Sequence, residues 1–193
     1  MAQPDAPGAQ LDALLSSRDH IPRLPETPFS RAVDPLIEWL GRVSSVLWPI
    51  LVAVITVNVL MRYVLGRGLV EFEEIQWHLY AVGFLIAQAW CVQNDGHVRI
   101  DVFAEHFRTR TKCWVELFGM LVWLLPFVLL VVWFSVPFVA YSFRIGEISE
   151  APGGLPYRFA VKAFLFVGFV LLAIATVSRL TRVLAALFDR SGR

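Results

Sequence analysis

Four long apolar runs, each free of Asp, Glu, Lys and Arg, divide this chain of 193 residues. The runs cover residues 43–61, 75–94, 117–143 and 163–178. A helix rises about 1.5 Å per residue, so about 20 apolar residues cross the roughly 30 Å hydrocarbon core of a bilayer. The pattern therefore predicts an all-α integral membrane protein with four spanning helices, at about 44–64, 72–94, 114–143 and 159–178.

The third run is the longest, with 27 uncharged residues. As a straight helix it would reach about 40 Å, which exceeds the thickness of the hydrocarbon core. We therefore expect the third span to tilt, kink or protrude. Pro126 and Pro137 are the candidate kink sites, because proline lacks the backbone N–H of a regular helix.

The fourth run has only 16 uncharged residues, about 24 Å of helix. Lys162 is therefore expected near one end of the span, with its ammonium reaching the headgroups. Beyond this span, apolar residues from Leu180 to Phe188 recur at helical spacing beside Arg179 and Arg182. That spacing predicts a helical extension along the membrane surface.

The first 35 residues contain six prolines and scattered charges. They are predicted to form a flexible cytoplasmic tail without a cleavable signal peptide, followed by one membrane domain over residues 36–190. An apolar face that begins at Leu36 predicts a short interfacial helix before the first span. We place Trp39, Trp48 and Trp77 at the membrane–water interface, where an amphipathic indole ring is stable.

The segment between the second and third spans, residues 95–112, begins with the turn Asp95-Gly96 and then alternates apolar and charged residues. It predicts a short amphipathic helix lying in the interface. Five of its side chains are candidate ligands of a metal ion: Asp95, His97, Asp101, Glu105 and His106. Local ion pairs to Arg99 and Arg108 are favoured, because no cysteine or dense histidine set completes a zinc site.

Composition narrows the function classes. Hydrophobic residues make up 57% of the chain and charged residues 17%, with a net charge of +1. A soluble globular enzyme is excluded, and the absence of a basic patch argues against a nucleic-acid binder. The two cysteines, Cys91 and Cys113, lie in or beside apolar runs and are read as buried thiols.

Lysine and arginine counts predict the orientation, since positively charged loops stay in the cytoplasm. Twelve of these residues lie in the two terminal regions and the middle segment, against five in the two other links. We therefore expect a multi-pass membrane protein in which both termini and residues 95–112 face the cytoplasm.

The centres of the runs are poor in the ionisable groups that a transporter places in mid-membrane to bind substrate or move protons. Gln88 and small hydroxyls are the polar groups there, and Asn58 is expected to hydrogen-bond to a neighbouring helix. The chain is therefore unlike the substrate-translocating core of a pump. A haem anchor needs axial ligands within adjacent spans, and only His78 lies inside a run.

Carboxylates cluster at the ends of the spans. Glu73 and Glu74 open the second span, where the helix dipole stabilises them; cation binding is the alternative. Glu147 and Glu150 lie in the last link and are expected to pair with Arg144, Arg158 or Lys162, or to meet an external partner.

Three stretches together resemble a known family. Glu73-Glu74, Trp90-Cys91-Val92 and Asp95-Gly96-His97-Val98-Arg99-Ile100-Asp101-Val102 are similar to the small, DctQ-like membrane subunit of tripartite ATP-independent periplasmic (TRAP) transporters. The resemblance covers about residues 36–180. A later run is similar to the branch that handles keto acids and related organic acids, and it includes Ser142, Glu147, Ser149, Glu150, Gly154, Pro156 and Lys162.

The resemblance implies a subunit that is not an enzyme and carries no cofactor. Its partners would be the lipid bilayer, a larger membrane subunit that binds substrate and sodium and works by an elevator motion, and a periplasmic binding protein. The small subunit would brace the large one and help dock the binding protein through residues 66–72 and 144–158. Two other classes stay open: the membrane anchor of a redox complex, and a free-standing small transporter.

Overall fold

The computed structural model describes residues 24–66, 68–94, 109–151 and 153–188. Within these ranges the chain is helical and contains no strand. Four helical stretches are long and apolar enough to cross a membrane: Pro28–Val64, Val70–Gln93, Arg110–Arg144 and Arg158–Phe188. The prediction of an all-α fold with four spans is confirmed. Asp95, Gly96, His97, Arg99 and Asp101, with the predicted amphipathic helix, lie outside the described residues.

The first stretch consists of α1 (Pro28–Ser45) and α2 (Leu47–Val64). Thr27 caps α1: its hydroxyl accepts from the N–H of Ser30, and the Ser30 hydroxyl accepts from the N–H of Thr27. Pro28 follows the cap, where its missing N–H costs nothing. This reciprocal cap starts the helix well before Leu36, the residue at which we placed the membrane domain.

The second span is α3 (Val70–Gln93), and the third is divided into α4 (Thr109–Phe118), a π-helical turn (Gly119–Leu124) and α5 (Leu125–Arg144). The π turn ends just before Pro126, which has no N–H to continue the regular ladder. The expected distortion at Pro126 is thus a local change of helix type. Pro137 lies inside α5 without such a change.

The fourth span, α6 (Arg158–Phe188), is the central helix, since it packs against α1, α3, α4 and α5. The main core cluster joins these helices through Ile37, Ala89, Val92, Val128, Leu172 and Ala175. A second cluster joins Leu180 and Val183 of α6 to Cys113 and Met120. The predicted helical extension beyond residue 178 is present, and its apolar side packs against α4 and the π turn; its position relative to the membrane surface stays a prediction.

The helices place polar residues at two opposite ends of the bundle. One end holds the 65–69 link and the 145–157 loop, and Glu74 hydrogen-bonds to that loop. The other end holds the start of α1, the end of α3, the start of α4 and the end of α6, joined by Asp34, Glu116, Arg179 and Arg182. The predicted orientation requires these segments to be grouped at two opposite ends in this way. Which of the two ends faces the cytoplasm stays a prediction.

Candidate functional site

The 145–157 loop links α5 to α6, and its described residues form hydrogen bonds within the loop and to the neighbouring helices. It follows α5 through Gly146, whose φ of 58° lies in the left-handed region that glycine adopts readily. Its backbone is internally bonded: the N–H of Ser149 donates to Leu155 O at 3.3 Å, and that of Arg158 donates to Glu147 O at 3.3 Å. The described parts of the loop, residues 145–151 and 153–157, are therefore held in shape by hydrogen bonds within the chain.

Glu74 fastens this loop to α3. One carboxylate oxygen accepts from the Ser149 hydroxyl, and the other accepts from the N–H of Leu155 at 2.5 Å. We read Glu74 from the sequence as a carboxylate stabilised by its own helix terminus. The structure shows that it bonds across to the loop instead, because Ser149 and Leu155 carry donors that face the first turns of α3.

Gly154 makes the close approach between loop and helix possible. A Cβ at this position would lie 2.3 Å from Ser149 Cβ and 2.9 Å from Glu74 Oε1. Any larger residue would displace one of these groups. The sequence singled out Gly154, Pro156 and Glu150 as family-motif residues. Gly154 packs at the contact, whereas Pro156 and Glu150 are exposed on the loop.

Glu147 anchors the loop to α6. Its carboxylate pairs with the Lys162 ammonium, which also lies 4.3 Å from the centre of the Phe138 ring. The Lys162 donor beside it holds the pKa of Glu147 below its ordinary value of 4.5. The expected pairing of Glu147 with a nearby cation is confirmed, and Lys162 is at the helix end as predicted. Within the described residues Glu150 has no ion-pair partner.

Glu73 lies beside these contacts but is exposed. It lines a cavity of about 290 Å³ together with Glu74, Trp77, His78 and Arg158. His78 Nδ1 donates to the carbonyl oxygen of Glu74 at 2.5 Å. The cavity thus carries carboxylate, imidazole and guanidinium groups around an indole ring.

The opposite end of the bundle contains an ion pair that sequence reasoning missed. Arg179 Nε donates to Glu116, and both side chains are almost fully buried. Arg179 Nη1 also donates to the carbonyl oxygens of Val92 at 3.2 Å and Gln93 at 3.4 Å. These carbonyls end α3 and have no partner within that helix, so the guanidinium caps α3 while it binds α4.

Asp34 ties α1 into the same end. Its side chain accepts from the Ser178 hydroxyl at 2.6 Å and from Arg182 Nη1 at 3.4 Å. Its backbone oxygen accepts from Gln93 Nε2 at 3.1 Å. The sequence placed Arg179 and Arg182 beside the apolar stripe on a surface helix. One feature of the sequence could have corrected this. Apolar residues continue at helical spacing both before Arg179 and after Arg182, and this pattern also fits a helix whose arginine-bearing side is buried.

Three tryptophans were predicted to mark the membrane surface. Trp39 and Trp77 are largely exposed, and their depth stays a prediction. Trp48 packs edge-on against Tyr80 at 6.0 Å and lies beside Gly83, near the midpoint of α3. The depth of Trp48 in the bilayer also stays a prediction.

Asn58 does not make the hydrogen bond that we expected. Its Oδ1 is buried and has no partner among the described residues, and the same is true of Gln76 Nε2 on α3. Within those residues no three His, Cys, Asp or Glu side chains are placed to hold a metal ion. The described helices therefore offer packing and ion-pair contacts, at the two ends of a largely apolar bundle.

Comparison with known families agrees with this arrangement. Residues 51–186 match the model of the DctQ component of tripartite ATP-independent periplasmic transporters. A search of curated proteins found no match. The matched region contains α3 to α6, the 145–157 loop and the Arg179–Glu116 pair, whereas α1 precedes it. This is a family of transporter components and not of enzymes. The chain belongs to the DctQ family and is a small membrane subunit of a TRAP transporter.

Proposed function

We propose that this subunit serves a sodium-gradient-driven TRAP transporter that imports organic acids, including keto acids. It braces the large elevator-type subunit and helps to dock the periplasmic binding protein. Its location is the inner membrane, with both termini in the cytoplasm. Sodium coupling and the binding protein are properties that membership of the family implies, and the substrate class rests on the likeness of residues 142–162 to the organic-acid branch.

The observation that carries the docking role is the fixed shape of the 145–157 loop. Glu74 holds it to α3, and Glu147 holds it to α6. A surface that is ordered before binding loses less conformational entropy when a partner docks. Glu150, Arg144 and Arg158 are exposed around this loop and are available for charged contacts.

The bracing role is supported by where the ion pairs lie. Near opposite ends of the bundle, Glu147–Lys162 joins the 145–157 loop to α6, and Glu116–Arg179 joins α4 to α6. Between them the described cores are apolar, with Val128, Leu172 and Ala175 at their centre. A bundle fixed at both ends is suited to stay in place while a neighbouring domain moves.

Charge reversal at Glu150 tests the docking role. Glu147 is already occupied by Lys162, so its reversal would also disturb the loop, whereas Glu150→Lys changes an exposed charge alone. We expect weaker binding of the purified periplasmic protein to the assembled membrane complex. Glu38→Lys, an exposed charge at the other end of the bundle, is the matched control. Equal affinities for wild type and Glu150→Lys would contradict this role.

Two measurements test the rest of the proposal. Affinity purification in mild detergent should recover a large hydrophobic subunit together with this chain. Proteoliposomes that hold both membrane subunits should then accumulate an organic acid only with the binding protein and an inward sodium gradient. Uptake by this chain alone would contradict the assignment as a bracing subunit.

A further inference from the structure

Gln88 has an amide that reaches the surface of α3 inside the charge-free run 75–94. The side chain is half-buried, and it has no hydrogen-bond partner among the described residues. Its polar atoms are not enclosed, unlike the buried orphan atoms of Asn58 and Gln76. An amide that faces lipid tails leaves two donors and one acceptor unpaired, which is costly in hydrocarbon.

The other amides of the runs differ from Gln88. Asn58 and Gln76 carry enclosed orphan atoms, Gln93 donates to the backbone oxygen of Asp34, and the exposed Asn94 donates to the carbonyl oxygen of Trp90. Among these five amides, Gln88 is the one with neither a hydrogen bond to the described residues nor an enclosed orphan atom.

A headgroup is a poor partner for this amide. Gln88 lies six residues before the end of its charge-free run, which is about 9 Å of helix. Side chains on a helix tilt toward its amino terminus, so Gln88 leans away from the nearer end of α3. Its short chain therefore does not reach the water at that end.

Gln88 belongs to a stripe along α3 in which Trp77 and Phe84 are exposed and Gln88 and Cys91 are half-buried. Trp77, Phe84 and Cys91 follow one another at intervals of seven, and Gln88 lies one turn after Phe84. Trp77 is 72% exposed and Phe84 is 45% exposed. The other sides of α3 are covered by α1, α2 and α6, and within the described ranges α3 hardly contacts α5 although both pack along α6. The stripe is therefore open to a further helix.

The exposed polar groups on α2 and α5 have less need of an additional hydrogen-bond partner than Gln88 has. On α2 the exposed Thr56 hydroxyl donates to Val52 O at 2.8 Å, so its donor is already used. On α5 the exposed Trp133 presents one indole N–H on a large apolar ring. Neither group needs a partner as much as a free amide does.

We propose that the stripe of Trp77, Phe84, Gln88 and Cys91 is the contact surface for a membrane helix of the large TRAP subunit, with Gln88 hydrogen-bonded to a polar group of that helix. The inference rests on the proposed function, which supplies the partner. Hydrogen bonds between membrane helices are modest but specific, and here lipid offers no substitute.

The test compares Gln88→Leu with Thr56→Val in nanodiscs, by the affinity of the labelled small subunit for the large subunit. From typical interhelical bond strengths we expect Gln88→Leu to bind about threefold to twentyfold more weakly, and Thr56→Val to bind as wild type does. The melting temperature of each small subunit alone is the folding control. Gln88→Leu should not lower it, since no described residue loses a hydrogen bond.

A second measurement maps the surface directly. A photo-crosslinking residue replaces Phe84 on the stripe or Val52 on α2, both of which are well exposed. Cross-links to the large subunit at position 84 and not at position 52 support the proposal. Unchanged affinity of Gln88→Leu, or cross-links only at position 52, would overturn it while leaving the subunit assignment intact. Failure of the wild-type chain to bind the large subunit would instead overturn the proposed function itself.

Discussion

Arg179 and Glu116 form an ion pair that is almost completely buried where α3, α4 and α6 meet. The same guanidinium also donates through Nη1 to the carbonyl oxygens of Val92 and Gln93 at the end of α3. Charges removed from water in this way are tolerated only when they are paired and hydrogen-bonded. The pair therefore joins three helices at one point and makes each of them depend on the others.

Removing one member of this pair should be strongly destabilising. Arg179→Met leaves the Glu116 carboxylate buried without its cation, and we expect a loss of about 3–5 kcal/mol of unfolding free energy. Denaturation of the detergent-solubilised chain measures it. The exposed Arg42–Glu38 pair is the control, since Arg42→Met should cost at most about 0.5 kcal/mol. Similar losses in both variants would show that the Arg179 pair has no special role.

Gly168 sets the spacing between α3 and α6. A Cβ there would lie 2.7 Å from Leu85 Cβ and 3.2 Å from the Leu85 carbonyl oxygen. Gly168→Ala should therefore push the helices apart and cost about 1–3 kcal/mol, measured by thermal unfolding. Gly119→Ala is the matched control, because its Cβ would meet nothing within 4 Å. A neutral result at Gly168 would mean that the two helices separate without penalty.

The Glu147–Lys162 pair should stabilise the chain in a pH-dependent way. The folded pKa of Glu147 is lowered, so its contribution is fully present above the unfolded value of about 4.5. The contribution is lost as pH falls through the lower folded pKa. The difference in melting temperature between wild type and Lys162→Gln should thus shrink below pH 4.5. A difference that is constant from pH 6 to pH 3 would rule out this linkage.

Asn58 should be dispensable for stability. Its buried Oδ1 has no partner among the residues that the structure describes, and an unsatisfied buried amide costs about 1–3 kcal/mol. Asn58→Leu has nearly the same volume, so we expect a higher melting temperature. Thr56→Val, two residues away and exposed, should change it little. A clear drop for Asn58→Leu would indicate that a water or a partner satisfies this amide in the membrane.

Local composition predicted four helices able to span a membrane, since the free energy of placing a helix in hydrocarbon depends mainly on its own side chains. It also predicted the distortion before Pro126 and the position of Lys162 at a helix end. The start of α1 was placed too late, because the strong local cap at Thr27 lies before the apolar face begins.

The hydrogen-bond and ion-pair partners of the polar residues could not be predicted from local composition. Glu74 and Ser149 are 75 positions apart, and Arg179 and Glu116 are 63 apart. Their pairing depends on which helix faces lie against each other, and sequence spacing within one helix does not determine that. The packing of Trp48 against Tyr80 and beside Gly83 is a relation of the same kind.

The sequence by itself thus determined that the chain is an integral membrane protein, how many helices span the membrane and, through the motif residues, which family it resembles. Each of these follows from local transfer energies or local patterns. Only the tertiary structure decided that Arg179 is buried, that Glu74 holds the 145–157 loop to α3, and that Gln88 has no hydrogen-bond partner among the described residues. Those outcomes are relations between helices, and they exist only once the helices have packed.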